Sequence, residues 1–139
     1  MLIGEYRPSI DVKGRLHFPA KLREALGEPF LLTRGLDRCL SAYSLSEWKL
    51  LEDSMKTLPR SKRRSLERFF FSGAAEVVPD KQGRIVLPPS LREYAGIVDN
   101  VVVTGVSDHV EIWDQAAWEK EVSSLSADTV ADMMDELGF

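Results

Sequence analysis

The chain has 139 residues, 44% of them hydrophobic, and a formal net charge of −4. That is enough for one compact domain or two small ones sharing a core, and too apolar for a chain that stays unfolded. No apolar run approaches the roughly 20 residues needed to cross a bilayer, and Met1-Leu2-Ile3-Gly4-Glu5 lacks the basic-then-apolar order of a secretion signal, so the expectation is a cytoplasmic protein without a membrane partner.

A single cysteine, Cys39, excludes an internal disulfide and reads as packing. With only two scattered histidines there is no set of side chains for a zinc ion. Charge is unevenly placed: residues 107–139 hold nine acids against Lys120 alone, leaving seventeen bases and thirteen acids in residues 1–106. A net acidic chain can therefore still present a basic face to nucleic acid.

Leu2 to Ile10 reads as extended and runs into Asp11-Val12-Lys13-Gly14. Asp bonds the backbone ahead of it and Gly takes the positive φ of a tight reversal, so this tetrad is a turn. Arg15 to Phe18 reads as a strand, Pro19 suits the first turn of a short helix, and Gly27 suits its exit. Phe30 to Arg34 and Cys39 to Tyr43 are β-rich runs reversed at Gly35. Ser44 and Glu47 have capping-box spacing, after which Trp48, Leu51, Met55 and Leu58 recur at helical intervals up to Pro59. Lys62 to Phe71 follows as a connecting helix carrying Leu66, Phe69 and Phe70.

The same order then returns. Ala74 to Pro79 is extended, Asp80-Lys81-Gln82-Gly83 is a turn, Arg84 to Leu87 a strand, and Pro88 and Gly96 bracket a short helix. Val101 to Thr104 and Val110 to Trp113 reverse at Gly105, and a helix from Asp114 sets Trp118, Val122 and Leu125 on one face. Residues 11–27 and 80–96 are identical at eight of seventeen positions; after one extra residue in the second copy the match runs through Leu31–Trp48 against Val101–Trp118. Beyond Ser126 a last, acidic helix shows Val130, Met133, Met134 and Leu137. These apolar stripes read as packing surfaces. The fold class is α+β and β-rich, with two β-β-α-β-β modules: residues 1–58 and 74–125 are the modules with their closing helices, 59–73 the connector and 126–139 the acidic terminal helix. Two copies fold against each other, since a solenoid needs three or more.

The repeated Asp-x-x-Gly-Arg is the main chemical signal, at Asp11, Gly14 and Arg15 and again at Asp80, Gly83 and Arg84, with Lys13 and Lys81 inside the loops. A guanidinium can bond O6 and N7 of guanine together, and a lysine can neutralise a phosphate. Alternatively each Asp and Arg simply pair across a hairpin, a surface contact worth about 0 to 1 kcal/mol. Both readings stand at this point, and in either the aspartates serve turn geometry and the aiming of the arginines. Arg7 precedes the first loop and could flank it. Arg60, Lys62, Arg63, Arg64 and Arg68 form a second basic group that reads as a solvated helix face opposite Leu66 and Phe70.

Catalytic readings are poorly supported. One Asp per copy invites comparison with the aspartic-protease dyad, but the loops lack Asp-Thr/Ser-Gly, and their cations would keep both carboxylates ionised. His17 reads as a structural strand residue and His109 lies in a turn, with no matched Ser or Cys motif. There is no P-loop and no GxGxxG. The expectation is no enzyme, no cofactor, no metal and no small-molecule substrate.

Gly4-Glu5-Tyr6, Ile10-Asp11-x-Lys13-Gly14-Arg15, Leu32-Thr33-Arg34-Gly35, Phe69-Phe70-Phe71-Ser72-Gly73-Ala74, Asp80-Lys81-Gln82-Gly83-Arg84 and Glu111-Ile112-Trp113 together span nearly the whole chain. In this order they resemble the MraZ family of bacterial transcription regulators, within the AbrB-like swapped-hairpin superfamily. The resemblance implies a β-barrel in which the halves exchange hairpins, and ring-shaped homo-oligomers, octameric or larger. It implies binding of double-stranded DNA at short G-rich direct repeats in the promoter of the division and cell-wall gene cluster that includes the regulator's own gene, and so nucleoid association. Arg15 and Arg84 occupy the family's motif arginines, with Lys13 and Lys81 beside them; the first loop is expected to be the DNA reader, and the second could serve assembly instead. The competing reading from another class is a ring-forming scaffold that binds proteins through the acidic tail. An antitoxin-like role is disfavoured by the full duplication.

Overall fold

A computed structural model describes the whole chain, Met1–Phe139. Its punctuation follows the prolines and glycines. The first copy comprises β1 (Glu5–Tyr6), β2 (Arg15–His17), α1 (Ala20–Leu26), β3 (Phe30–Arg34), β4 (Leu40–Tyr43) and α2 (Leu45–Met55), followed by the connecting helix α3 (Arg60–Phe70). The second comprises β5 (Ala75–Val77), β6 (Arg84–Val86), α4 (Pro89–Tyr94), β7 (Val101–Gly105), β8 (Val110–Asp114) and α5 (Gln115–Ser123), followed by α6 (Ala127–Asp135). Pro19 and Pro88 stand at the N-caps of α1 and α4, where a missing N–H leaves nothing unsatisfied. Ser44 caps α2 by accepting a hydrogen bond from the Glu47 amide at 3.2 Å, as its spacing predicts.

The copies exchange their first strands. All pairings are antiparallel, and one sheet has the order β1-β7-β8-β4-β3-β5. Its outer strands each belong to the other copy: β1 lies on β7 with Glu5 opposite Thr104, and β5 lies on β3 with Phe30 opposite Val77. The strand β4 joins β8 in the middle. The remaining strands, β2 and β6, make a separate two-stranded ribbon with Arg15 opposite Val86, Leu16 opposite Ile85 and His17 opposite Arg84. Exchanging one copy for the other maps both sheets onto themselves.

The closed barrel implied by the family resemblance is not formed. The six-stranded sheet is open, edged by β1 and β5, and the ribbon is a distinct ladder. Proline supplies the reason. Pro8 follows β1 and Pro79 follows β5, and neither has an N–H to carry pairing into the next strand. One bridge, Ser9 with Asn100, continues beyond β1, and the Pro8 carbonyl accepts from the Val101 amide at 3.2 Å.

The core lies between ribbon, sheet and short helices. Leu16 and Ile85 are 1% and 2% exposed on the ribbon's inner face, Leu22 and Leu91 are buried on α1 and α4, and Phe30, Leu32, Val101 and Val103 come from the sheet. The Phe18 and Phe30 rings sit 5.0 Å apart. Cys39 is fully buried, as packing requires, and burial pushes its thiol up to about 12, with help from Glu111 and Asp37.

Two expectations change. Helix α2 stops at Met55, not at Leu58: the Thr57 hydroxyl donates to the Ser54 carbonyl at 2.7 Å, and Pro59 disfavours helical geometry at the residue before it. The stripe on α6 is not packed. No residue of α6 is buried, and Met133 and Leu137 are 57% and 70% exposed.

Truncating Leu16 or Ile85 to alanine removes a buried side chain from each half of the ribbon, and each change should cost about 2–5 kcal/mol. The two losses should be similar in urea unfolding, given their equivalent places. A loss below about 1 kcal/mol in either would mean that the ribbon is not part of the core.

Candidate nucleic-acid interface

Each loop is tied by one aspartate. The Asp11 amide donates to the Arg15 carbonyl at 2.9 Å and the Gly14 amide to the Asp11 carbonyl at 3.0 Å. Asp11 Oδ1 accepts from the amides of Lys13 and Arg15, both at 2.9 Å, while Oδ2 accepts from Arg15 Nε at 2.8 Å. The second loop repeats this. Asp80 Oδ1 accepts from the Gln82 and Arg84 amides at 2.9 and 2.8 Å, and Oδ2 accepts from Arg84 Nε at 2.9 Å. Gly14 and Gly83 both take φ of 77°, a region side-chain-bearing residues rarely enter. The Arg15 amide is the chief reason that Asp11 is held below the usual carboxylate range, outweighing partial desolvation, with the Arg15 side chain and Lys13 amide assisting. Asp80 is lowered the same way by Arg84.

The pairing of Asp and Arg across each hairpin is therefore real, and it leaves the cation available. Only Nε of each guanidinium is engaged; the outer nitrogens of Arg15 and Arg84 make no hydrogen bond within the chain, and the side chains are 31% and 27% exposed. Strand alternation sets their direction. Leu16 and Ile85 point into the core, so Arg15, His17, Arg84 and Val86 share the opposite face. Two arginines from two distant stretches of sequence thus meet on one exposed ribbon surface. Lys13 and Lys81 are exposed, and Val12 at the first tip is 99% exposed. The loops are not identical: Gln82 holds the place of Lys13, and Lys81 that of Val12.

The structure does not bring Arg7 into this group. Its Nη2 lies 2.9 Å from Glu5 Oε2 and its Nη1 3.4 Å from Glu119 Oε1, so two carboxylates answer its charge. In the connecting helix α3, Arg60, Lys62, Arg64 and Arg68 are exposed, while Arg63 pairs with Glu67 at 3.2 Å. That helix is fastened from β3: Arg34 donates to the carbonyls of Phe69 and Arg68, both at 3.0 Å, and lies 5.0 Å above the Phe69 ring.

Two residues near the tips escape the sequence reading. His17 is a strand residue, but an exposed one on the arginine face. Arg23 of α1 lies against the second loop, where its Nη1 occupies the space a Cβ at Gly83 would need. It has no carboxylate partner. Its counterpart Arg92 nears Gly14 but donates to the carbonyls of Ile97 and Val98 at 3.2 and 2.7 Å. A trace existed in the repeat, since Leu22-Arg23-Glu24 returns as Leu91-Arg92-Glu93, but only strand exchange carries each arginine to the other copy's loop. No group of His, Cys, Asp and Glu side chains comes together to hold a metal ion.

A family model described as "MraZ protein, putative antitoxin-like" matches residues 1–67 and 70–137, one match for each copy. Proteins named Transcriptional regulator MraZ from Acetivibrio thermocellus and Caldicellulosiruptor bescii are each 51% identical to this chain over 143 aligned positions, and one from Clostridium beijerinckii is 51% identical over 142. In all three, the alignment covers the whole of both chains.

The lowered aspartates give the loops a pH signature. A carboxyl whose folded pKa is depressed contributes order above its ordinary value, near 3.8, and loses it as pH falls through the folded value. The Arg15 and Arg84 amides should therefore be protected from hydrogen exchange at pH 5 and lose that protection, relative to their intrinsic rates, on acidification below the ordinary carboxylate range. Asp11→Ala should remove protection at Lys13 and Arg15 at pH 5 and leave Arg84 protected. Protection unchanged in that variant would show that the carboxylate does not hold the loop.

Proposed function

Since the chain belongs to the MraZ family of transcriptional regulators, which is not an enzyme family, we propose that it regulates transcription by binding double-stranded DNA through the outer face of the β2–β6 ribbon. The target we propose is a set of short direct repeats in the promoter of its own division and cell-wall gene cluster, bound by a ring of copies in the cytoplasm at the nucleoid. No helix is long and apolar enough to cross a membrane.

The observation that carries this reading is the placement of Arg15 and Arg84 on one exposed face, each aimed by its own aspartate. A two-stranded ribbon fits the major groove of about 12 Å, where guanine presents two acceptors to one guanidinium. Anchoring Nε on Asp11 or Asp80 fixes the plane of the fork before DNA arrives, which lowers the ordering cost of binding. Lys13, Lys81 and the unpaired Arg23 suit phosphate, so positioning and reading divide among neighbours. Lys13 gives the first loop more positive charge near its arginine than Gln82 gives the second, which favours the first loop as the principal reader.

One ribbon offers few base contacts. Joining several in a ring makes each later contact intramolecular and raises avidity without new contact types, which suits tandem sites. A second reading, a scaffold that binds proteins through its tail, is favoured by the exposed acidic helix α6.

DNA titrations at several salt concentrations separate the two. Arg15→Ala and Arg84→Ala should each weaken specific binding by roughly 5- to 150-fold, the equivalent of about 1–3 kcal/mol for a bidentate base contact. Lys13→Ala should weaken binding to all sequences alike and reduce the steep salt slope by about 1. Wild-type affinity in the Arg15→Ala, Arg84→Ala double variant would reject the ribbon as the reader and favour the scaffold.

A further inference from the structure

Exchanging the two copies maps the β2–β6 ribbon onto itself, with Leu16 and Ile85 paired at its centre. A ribbon that carried only its two arginines would therefore look the same from either end. Its outer face is less even than that. In one row Arg15 stands opposite Val86, and in the other His17 stands opposite Arg84. His17 and Val86 are both exposed, Val86 at 55%. Leu16, Phe18, Ile85 and Leu87 are all buried, so His17 and Val86 are the last outward positions before Pro19 and Pro88.

The two ends differ in chemistry. No carboxylate faces His17 across the ladder: its partner there is Arg84, whose own carboxylate, Asp80, is engaged with Arg84 Nε and two amides. An exposed neutral imidazole offers one N–H donor and one acceptor nitrogen. Val86 offers only methyl groups, and with Arg15, Val78 and Pro88 it lines a recess of about 260 Å³. Val78 is 64% exposed, so this end of the ribbon is apolar at its surface. Glu76 and Asp80 line the recess as well, and two carboxylates repel a phosphate. A base edge fits where a phosphate does not.

We infer that His17 and Val86 set the direction in which the ribbon lies along DNA: Val86 packs on the 5-methyl group of a thymine beside the guanine taken by Arg15, and the His17 ring donates to N7 of a purine beside the guanine taken by Arg84. This rests on the ribbon reading proposed above and supplies what direct repeats require of it. Arginines related by a two-fold suit an inverted site, because each end offers the same guanidinium. A site repeated in one direction has to be met by a reader whose ends differ. Opposite residues on antiparallel strands stand about 4.5–5.5 Å apart, so each of the two reaches the base pair its neighbouring arginine reads or the next one, at about 3.4 Å per pair. The loops are unequal too, in Val12 against Lys81 and Lys13 against Gln82, but lysines on phosphate place a protein without reading bases. The thymine methyl and the purine N7 are base features of the major groove.

Fluorescence anisotropy with a duplex carrying one repeat from the DNA upstream of the protein's own gene tests this base by base. Replacing thymine with uracil removes only the methyl, and replacing a purine with its 7-deaza analogue removes only the N7 acceptor. In the native protein one uracil change should weaken binding about fourfold, the worth of one buried methyl. The 7-deaza changes should weaken it at the two guanines read by arginine and at one further purine, there by about 2- to 12-fold, the worth of one hydrogen bond. Val86→Ala should abolish the uracil effect alone, and His17→Ala the effect at the further purine alone. Both side chains are exposed, so both variants should retain the native circular dichroism. Direction is read by an iron chelate tethered at Val12→Cys, whose cleavage should fall at one end of the repeat; Cys39 is fully buried and takes no label. With His17→Val and Val86→His added, cleavage should appear at both ends. Cleavage confined to the original end in that chain, base effects that survive both alanine substitutions, or a native protein lacking either effect would each overturn the inference. If it fails while the Arg15→Ala, Arg84→Ala double variant loses affinity, the ribbon reading stands; if that double variant keeps native affinity, the ribbon reading falls and the inference with it.

Discussion

The pairing of β2 with β6 is the constraint on which the molecule depends. Three residues from each strand, 69 positions apart in the repeat, form the only ladder that joins the two Asp-x-x-Gly-Arg hairpins. Because side chains alternate along a strand, the register that buries Leu16 and Ile85 also forces Arg15 and Arg84 outward. A slip of either strand by one residue would drive its arginine into the core. Hydrophobic burial on one face thus fixes the position of the cations on the other, and stability and recognition share one set of hydrogen bonds.

Strand exchange extends that coupling to the whole chain. The outer strands β1 and β5 each complete the other copy's sheet, and Tyr94 of the second copy donates to the Gly35 carbonyl of the first at 2.7 Å. Neither half has a complete sheet of its own. The copies have nonetheless diverged where chemistry lies. Lys13 faces Gln82 as its equivalent, Arg92 is committed to backbone carbonyls while Arg23 is free, and Arg34 has become Thr104. The first difference adds charge at the first tip, and the second adds it beside the second tip. The third releases a helix from the fold.

Much of this is visible in the residues before any coordinate. The turns at Asp11 and Asp80, the prolines and glycines around the short helices and the capping serine all act through local geometry, and local geometry is what spacing encodes. The pairing of β2 with β6 is not local, and periodicity alone could not supply it; the family resemblance implied the exchange, while the open sheet follows from Pro8 and Pro79, whose effect on the ladder depends on which strands they interrupt. Arg23 was hidden for the same reason, because its neighbour Gly83 lies 60 residues away. The stripe on α6 was read as packing because a helical apolar face looks the same in the sequence whether or not the fold buries it. Arg7 looked like a flanking cation until Glu5 and Glu119 were seen beside it.

The central claim is that DNA meets the hairpin tips and not the basic helix α3. It is tested most directly by placing a photo-cross-linking amino acid singly at position 12, 81 or 64 and irradiating each protein with duplex promoter repeats. Covalent adducts from positions 12 and 81, with none from 64, are the result expected of the ribbon. Adducts from position 64 alone would contradict it.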